Sequence, residues 1–160
     1  MTNAERPMHL AQLNVGYLKY PTDDPRLAEF MNNLALVNAI ADRSSGFVWR
    51  LQDESGNATA FRPFPDPTMA VNLSVWKSAA DLEQFVWKTV HERFYRKRGD
   101  WFDPMKKPHL VMWWVEEGHI PTLEEAAERL ADLHQHGPTE HAFGWAELSD
   151  AKFWRTGRCA

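Results

Sequence analysis

Hydrophobic and polar positions alternate at the start of the chain. In HLAQLNV (9–15), Ala11, Leu13 and Val15 share one face, with Gln12 and Asn14 on the other, the period-two pattern of a strand. YPTDDPR breaks the pattern. Asp23 or Asp24 is placed to cap a helix with Pro25 in its first turn. The helix is predicted over about 26–41, where Leu27, Phe30, Leu34, Val37 and Ala41 recur at steps of three and four. Ser44, Ser45 and Gly46 end it. FVWRL (47–51) reads as a second strand, followed by a turn at 53–57 and a short edge segment at 58–62 that Pro63, Pro65 and Pro67 stop. MAVNLSVW (69–76) alternates again, Val71, Leu73 and Val75 against Asn72, Ser74 and Trp76.

Ser78 is placed to cap a second helix over about 79–98, with Leu82, Phe85, Val86, Thr89 and Arg93 along one side. Gly99 is predicted to stop it, and Trp101–Pro104 to form a loop. HLVMWWV (109–115) is apolar at both parities, as in a strand covered on both faces. A third, acidic helix is predicted over about 122–136, ending at Gly137-Pro138, with one more extended piece near Phe143–Trp145. The order βαββαβ plus a helix describes an α+β, ferredoxin-like unit, an antiparallel sheet with helices on one side. Residues 1–145 are read as this single domain and 146–160 as a C-terminal tail. The second face of such a sheet needs a cover, and a second copy of the chain, a homodimer, is the expectation.

Composition narrows the function classes. At 160 residues, 44% hydrophobic and 25% charged, the chain is globular and one domain long. Its longest apolar run, Leu110–Val115, falls far short of the roughly 20 residues of a membrane helix. MTNAERPMHLAQLN lacks the apolar core of a secretory signal, so a cytoplasmic location is expected. Cys159 is the single cysteine, which excludes an intrachain disulfide. A net charge of −4 argues against nucleic acid as a partner. Eight tryptophans are dense for this length and suit either an aromatic core or an aromatic-walled cavity.

Candidate chemistry gathers on the second helix and on the strands. Trp87, His91, Phe94, Arg98 and Trp101 recur at steps of four, three, four and three, which stacks them along one side if the helix continues past Gly99. There His91 would move a proton, Arg98 would hold an anion, and the rings would exclude water. The alternative is that His91 tops a solvated face near a helix C-terminus, where cations are favoured. Asn14, Asn72 and Ser74 are polar positions on strand faces, and Asn38 lies on the buried stripe of the first helix. Each needs a hydrogen-bond partner, either a ligand or another protein group. Trp49 and Trp76 are added as walls. His134, His136 and His141 do not share a helix face, so no metal site is implied. There is no G-x-S-x-G, G-x-G-x-x-G, P-loop or H-E-x-x-H motif.

In HLAQLNV, FVWRLQ, NLSVWKSAADLEQFVWKTVH, WF, PHLVMWWVEEGHIPT and the late HGPT, the chain resembles domain-of-unknown-function family 3291, over about residues 8–145. That family is placed among the dimeric α/β-barrel proteins. The resemblance implies a ferredoxin-like protomer, a homodimer and a small-molecule pocket between sheet and helices. Relatives by fold include antibiotic-biosynthesis-type monooxygenases, which oxidise aromatic substrates without metal or flavin, and haem-degrading enzymes. The latter pair a first-strand Asn with a Trp and a haem-ligating His on the second helix, after a VWKS-like strand end. Asn14 and Val75-Trp76-Lys77-Ser78 match. The Trp position, however, falls on Phe85 and the His position on Tyr95, with His91 one turn early. The expectation is therefore no cofactor, with haem as the alternative. The function expected is monooxygenase-like or acid/base chemistry on a small aromatic or polyketide-like substrate, with a non-catalytic binding module as a further alternative.

Overall fold

The computed structural model describes residues 7–20, 23–52, 69–88, 96–103 and 109–148. The first strand, β1 (Met8–Leu18), runs through the middle of an antiparallel sheet and is buried on both faces along most of its length. On one side it pairs with β3 (Met69–Trp76), setting Gln12 opposite Ser74 and Asn14 opposite Asn72. On the other it pairs with β5 (Leu110–Glu116) and, beyond that strand's end, with the two-residue β4 (Phe102–Asp103). The strand β2 (Phe47–Arg50) pairs with β3 at the far edge. The order β2-β3-β1-β5 with all neighbours antiparallel is that of a ferredoxin-like unit.

Local chemistry sets the helix ends. Asp24 caps a 3-10 turn (Pro25–Leu27) by accepting from the Arg26 backbone N–H at 2.8 Å, and Pro25 stands at its first position. Helix α1 (Ala28–Arg43) follows directly and buries Phe30, Val37, Asn38 and Ala41. Helix α2 starts at Ala79 and is described to Lys88. Ser78 Oγ accepts from the Asp81 N–H at 3.1 Å and lies 2.9 Å from its carboxylate. Helix α3 (Leu123–His136) is capped by Thr122, whose Oγ1 accepts from the Glu125 N–H, and closes at Gly137 with φ 73°.

Two predicted features differ. Gly99 does not stop a helix: it lies inside a separate helical turn (Arg98–Trp101). Phe102 and Asp103 form β4 where a loop is predicted. The cause is tertiary. The Lys19 N–H donates to the Trp101 carbonyl at 2.8 Å and the Lys19 ammonium to the Gly99 carbonyl at 2.6 Å, which ties the turn to the end of β1. The edge segment at 58–62 lies outside the described residues.

The two sheet faces are unlike. One carries Ala11, Leu13, Val15, Val71, Leu73, Val75, Val111, Trp113 and Val115, and α3 packs on it through Ala126, Leu130 and Leu133. Every one of these residues is buried within the single chain. A bare apolar face, the physical reason for expecting a second copy, is therefore absent among the described residues. The other face carries Leu10, Trp76 and Met112 under Val37, Ala41, Leu82 and Phe85 of α1 and α2. Full burial of a side chain such as Leu10 or Leu13 is worth about 1.5–3 kcal/mol, so each face is a substantial source of stability.

Candidate functional site

The polar strand positions converge on the face beneath α1 and α2. The Gln12 amide nitrogen donates both hydrogens across the β1–β3 pair, to Asn72 Oδ1 and to Ser74 Oγ, each at 2.7 Å. Ser74 Oγ also accepts from the Trp76 indole N–H at 2.9 Å. Gln12 and Ser74 are 6% exposed and Trp76 is 1% exposed, so these bonds replace water that the sheet excludes. Aromatic packing seals this end. The Trp76 ring stacks on Phe85 with centroids 5.2 Å apart, and Phe47 meets its edge at 5.4 Å. Towards the other end the face opens: Asn14 is half-buried and its cross-strand neighbour Asn72 is exposed. The result is an uncharged floor, satisfied at its inner end and offering amide groups at its outer one.

The other proposed residues are dispersed. Asn38 is buried beside Val37 and Ala41 on the stripe of α1. Trp87 is buried, with its ring 6.3 Å from Trp145. Trp101 is 2% exposed and packs on Phe30 at 5.5 Å, in a separate cluster with Leu18 and Leu27. Trp49 packs against the cluster on the opposite, α3-covered face. A β-bulge between Phe47 and Trp49 is the reason. Phe47 is opposite Trp76 but Trp49 is opposite Val75, so two residues that simple alternation puts on one face end up on two. Arg98 is half-buried in its helical turn, close enough to His109 for its charge to matter. His109 is exposed at the surface, yet it is held below its ordinary value, first by partial desolvation from the groups around its ring and second by that guanidinium. His91, with Phe94 and Tyr95, lies outside the described residues.

The structure therefore unites Asn14, Asn72, Ser74 and Trp76 around Gln12, and it does not make one wall of Trp76, Trp87 and Trp101. Two buried polar residues escaped the sequence reading. Glu83 is 3% exposed on α2, and its spacing from Ala79, Leu82 and Val86 was the available signal. His9 is 8% exposed on β1, and its Nδ1 makes no hydrogen bond among the described residues. No group of three His, Cys, Asp or Glu side chains among those residues is placed to hold a metal ion. Nor is any helix among them long and apolar enough to cross a membrane.

The model of the family described as "Domain of unknown function (DUF3291)" matches residues 9–159. The chain belongs to this family. No curated protein matches this DUF3291 chain. Similar solved structures include the PA3566 protein of Pseudomonas aeruginosa, at 15% identity and TM-score 0.43, covering 74% of this chain and 100% of that one. A conserved protein of Methanosarcina mazei matches at 13% identity and TM-score 0.45, covering 69% and 93%. A protein of Nitrosomonas europaea, provisionally assigned as an antibiotic biosynthesis monooxygenase, matches at 18% identity and TM-score 0.42, covering 72% and 93%.

Proposed function

We propose that the chain binds a small aromatic or polyketide-like molecule at the outer, amide-bearing end of the floor and acts on it by proton transfer or cofactor-independent oxidation. The observation that carries this reading is the graded network: Gln12, Ser74 and Trp76 bond to one another inside, while half-buried Asn14 and exposed Asn72, whose Oδ1 accepts from Gln12, lie at its outer end. Uncharged amides suit a carbonyl or enol oxygen better than a free carboxylate, which calls for a cation.

On this reading Asn14 and Asn72 hold the oxygen of an enolisable carbonyl, His91 takes the acidic C–H proton, and Arg98 steadies the anion that forms. The reaction class follows the family resemblance in fold. For an anthrone the balance is one CH2 and one O2 giving one C=O and one H2O. Homodimer formation rests on the family resemblance alone, since both sheet faces are covered within one chain, and sedimentation of the full chain checks it.

The test uses 1,8-dihydroxyanthrone, followed by oxygen uptake and by the visible absorbance of the quinone. Turnover above the uncatalysed rate is expected, with kcat/KM falling about tenfold in Asn72→Ala, the scale of one lost hydrogen bond worth about 1.4 kcal/mol. Saturable binding without turnover makes the chain a binding module, and no binding rejects the reading. Haemin is the control: a Soret shift lost in His91→Ala or Tyr95→Phe would transfer the site to haem.

A further inference from the structure

A second constellation lies at the β5 edge, on the side of the sheet that α3 covers. The chain turns between Glu116 and His119, whose N–H donates to the Glu116 carbonyl at 3.0 Å, with Gly118 at φ 92°. Thr122 then caps α3 and fixes Glu125 as the third residue of the helix. The Glu125 carboxylate is held at both oxygens. Oε2 accepts from the indole N–H of fully buried Trp113 at 2.8 Å, and Oε1 lies 2.7 Å from His119 Nε2. One helical turn on, Arg129 donates through Nη1 to the His141 carbonyl at 2.8 Å and sits 6.0 Å from the centre of the Trp113 ring. With Trp114, Val115 and Glu116, these three side chains line an open cleft of about 300 Å³.

We propose that this cleft is a binding site for a small phenol, with His119 as its proton acceptor. A carboxylate on Nε2 fixes the neutral imidazole as the Nε2–H tautomer and leaves Nδ1 as the acceptor. Nδ1 makes no hydrogen bond among the described residues, and the ring is 47% exposed to the cleft and solvent. A ligand that meets Nδ1 must bring an O–H or N–H. Trp114 alternates with Trp113 and Val115, so it borders the cleft only at the β5 edge, with its ring 6.3 Å from Phe143 on the other face. A preformed anion is opposed by Glu116 and Glu125, and a cation by Arg129; a neutral acid that releases its proton inside the cleft meets neither obstacle. The phenol O–H proton passes to Nδ1. The resulting imidazolium stays paired with Glu125, and the phenolate gains the Arg129 charge.

The probe is 4-nitrophenol, whose neutral and ionised forms absorb at different wavelengths, titrated with the full chain. 4-Nitroanisole, which has no O–H, is the control. Saturable binding is expected, with a larger ionised fraction in bound than in free dye at the same pH. His119→Gln should weaken binding at least tenfold and remove the spectral change, with an unaltered melting curve because the side chain is half-exposed. Equal binding of 4-nitroanisole, retention of the change in His119→Gln, or no saturable signal overturns the site. Asn72→Ala is expected to leave the titration untouched; its loss there would place the dye on the Gln12 floor and also overturn the site.

Discussion

The Gln12 amide nitrogen stands 2.7 Å from Ser74 Oγ, directly across the β1–β3 pair, and the Trp76 indole uses the same oxygen. Ser74→Ala removes the acceptor and leaves two buried donors short of partners, at a cost of about 1–3 kcal/mol. Gln12→Met removes the donor side while roughly keeping volume, and Ser74 Oγ still has Trp76. Urea unfolding should therefore rank Ser74→Ala as the more destabilising change; the reverse order would deny the network its role in stability.

Gly46 lies in the turn between α1 and β2 at φ 78°, and a Cβ there would collide with the Asp81 carboxylate at the start of α2. Gly118 has φ 92° but open space around it. Gly118→Ala should cost only the left-handed backbone penalty, about 1–2 kcal/mol. Gly46→Ala should cost more, because the Asp81 side chain must move and its carboxylate give up the hydrogen bond it accepts from Ser78 Oγ. Thermal melts of the two variants check the order.

His109 titrates below its ordinary 6.5 in the folded chain, through partial desolvation first and Arg98 second. The unfolded chain then binds the proton more readily, so this residue's contribution to stability is complete well above pH 6.5 and is lost as pH falls through and below that value. Arg98→Met should move the His109 titration part of the way back up, since the partial desolvation remains. NMR titration of the His109 ring measures it, and an unmoved midpoint would remove Arg98 from the neighbourhood of that ring.

Acid stability carries a separate signature at the start of α1. The Asp24 carboxylate accepts from the Arg26 side chain and backbone, which lowers its pKa from 3.8 to about 2. A depressed carboxylate stabilises the fold above its unfolded value, and the contribution disappears as pH falls from about 4 to about 2. Asp24→Asn should flatten the stability profile in that interval and leave it parallel to the parent above it, as read by denaturation at each pH.

The alternation of β1 and β3 and the stripe of α1 were legible in the sequence, because each buries a regular face: Gln12 and Ser74 fall on one side and Leu13 and Leu73 on the other, as the pattern has it. Trp49 was not legible in this way, since one bulge reverses its face and composition does not mark the bulge. Nor was the turn at Arg98–Trp101, held by Lys19 from β1 and by packing of Trp101 on Phe30. His119 carries no signal in the sequence, because its partners, Glu125 and through it Trp113, meet only when α3 folds back on β5.

The most direct test of the proposed site follows the side-chain amide signals of Asn14, Asn72 and Gln12 while 1,8-dihydroxyanthraquinone is added. The Asn14 and Asn72 amide protons should shift together and saturate, while those of Gln12, already donated to Asn72 and Ser74, move least. Saturable binding of the quinone with the Asn14 and Asn72 signals unmoved would contradict the account.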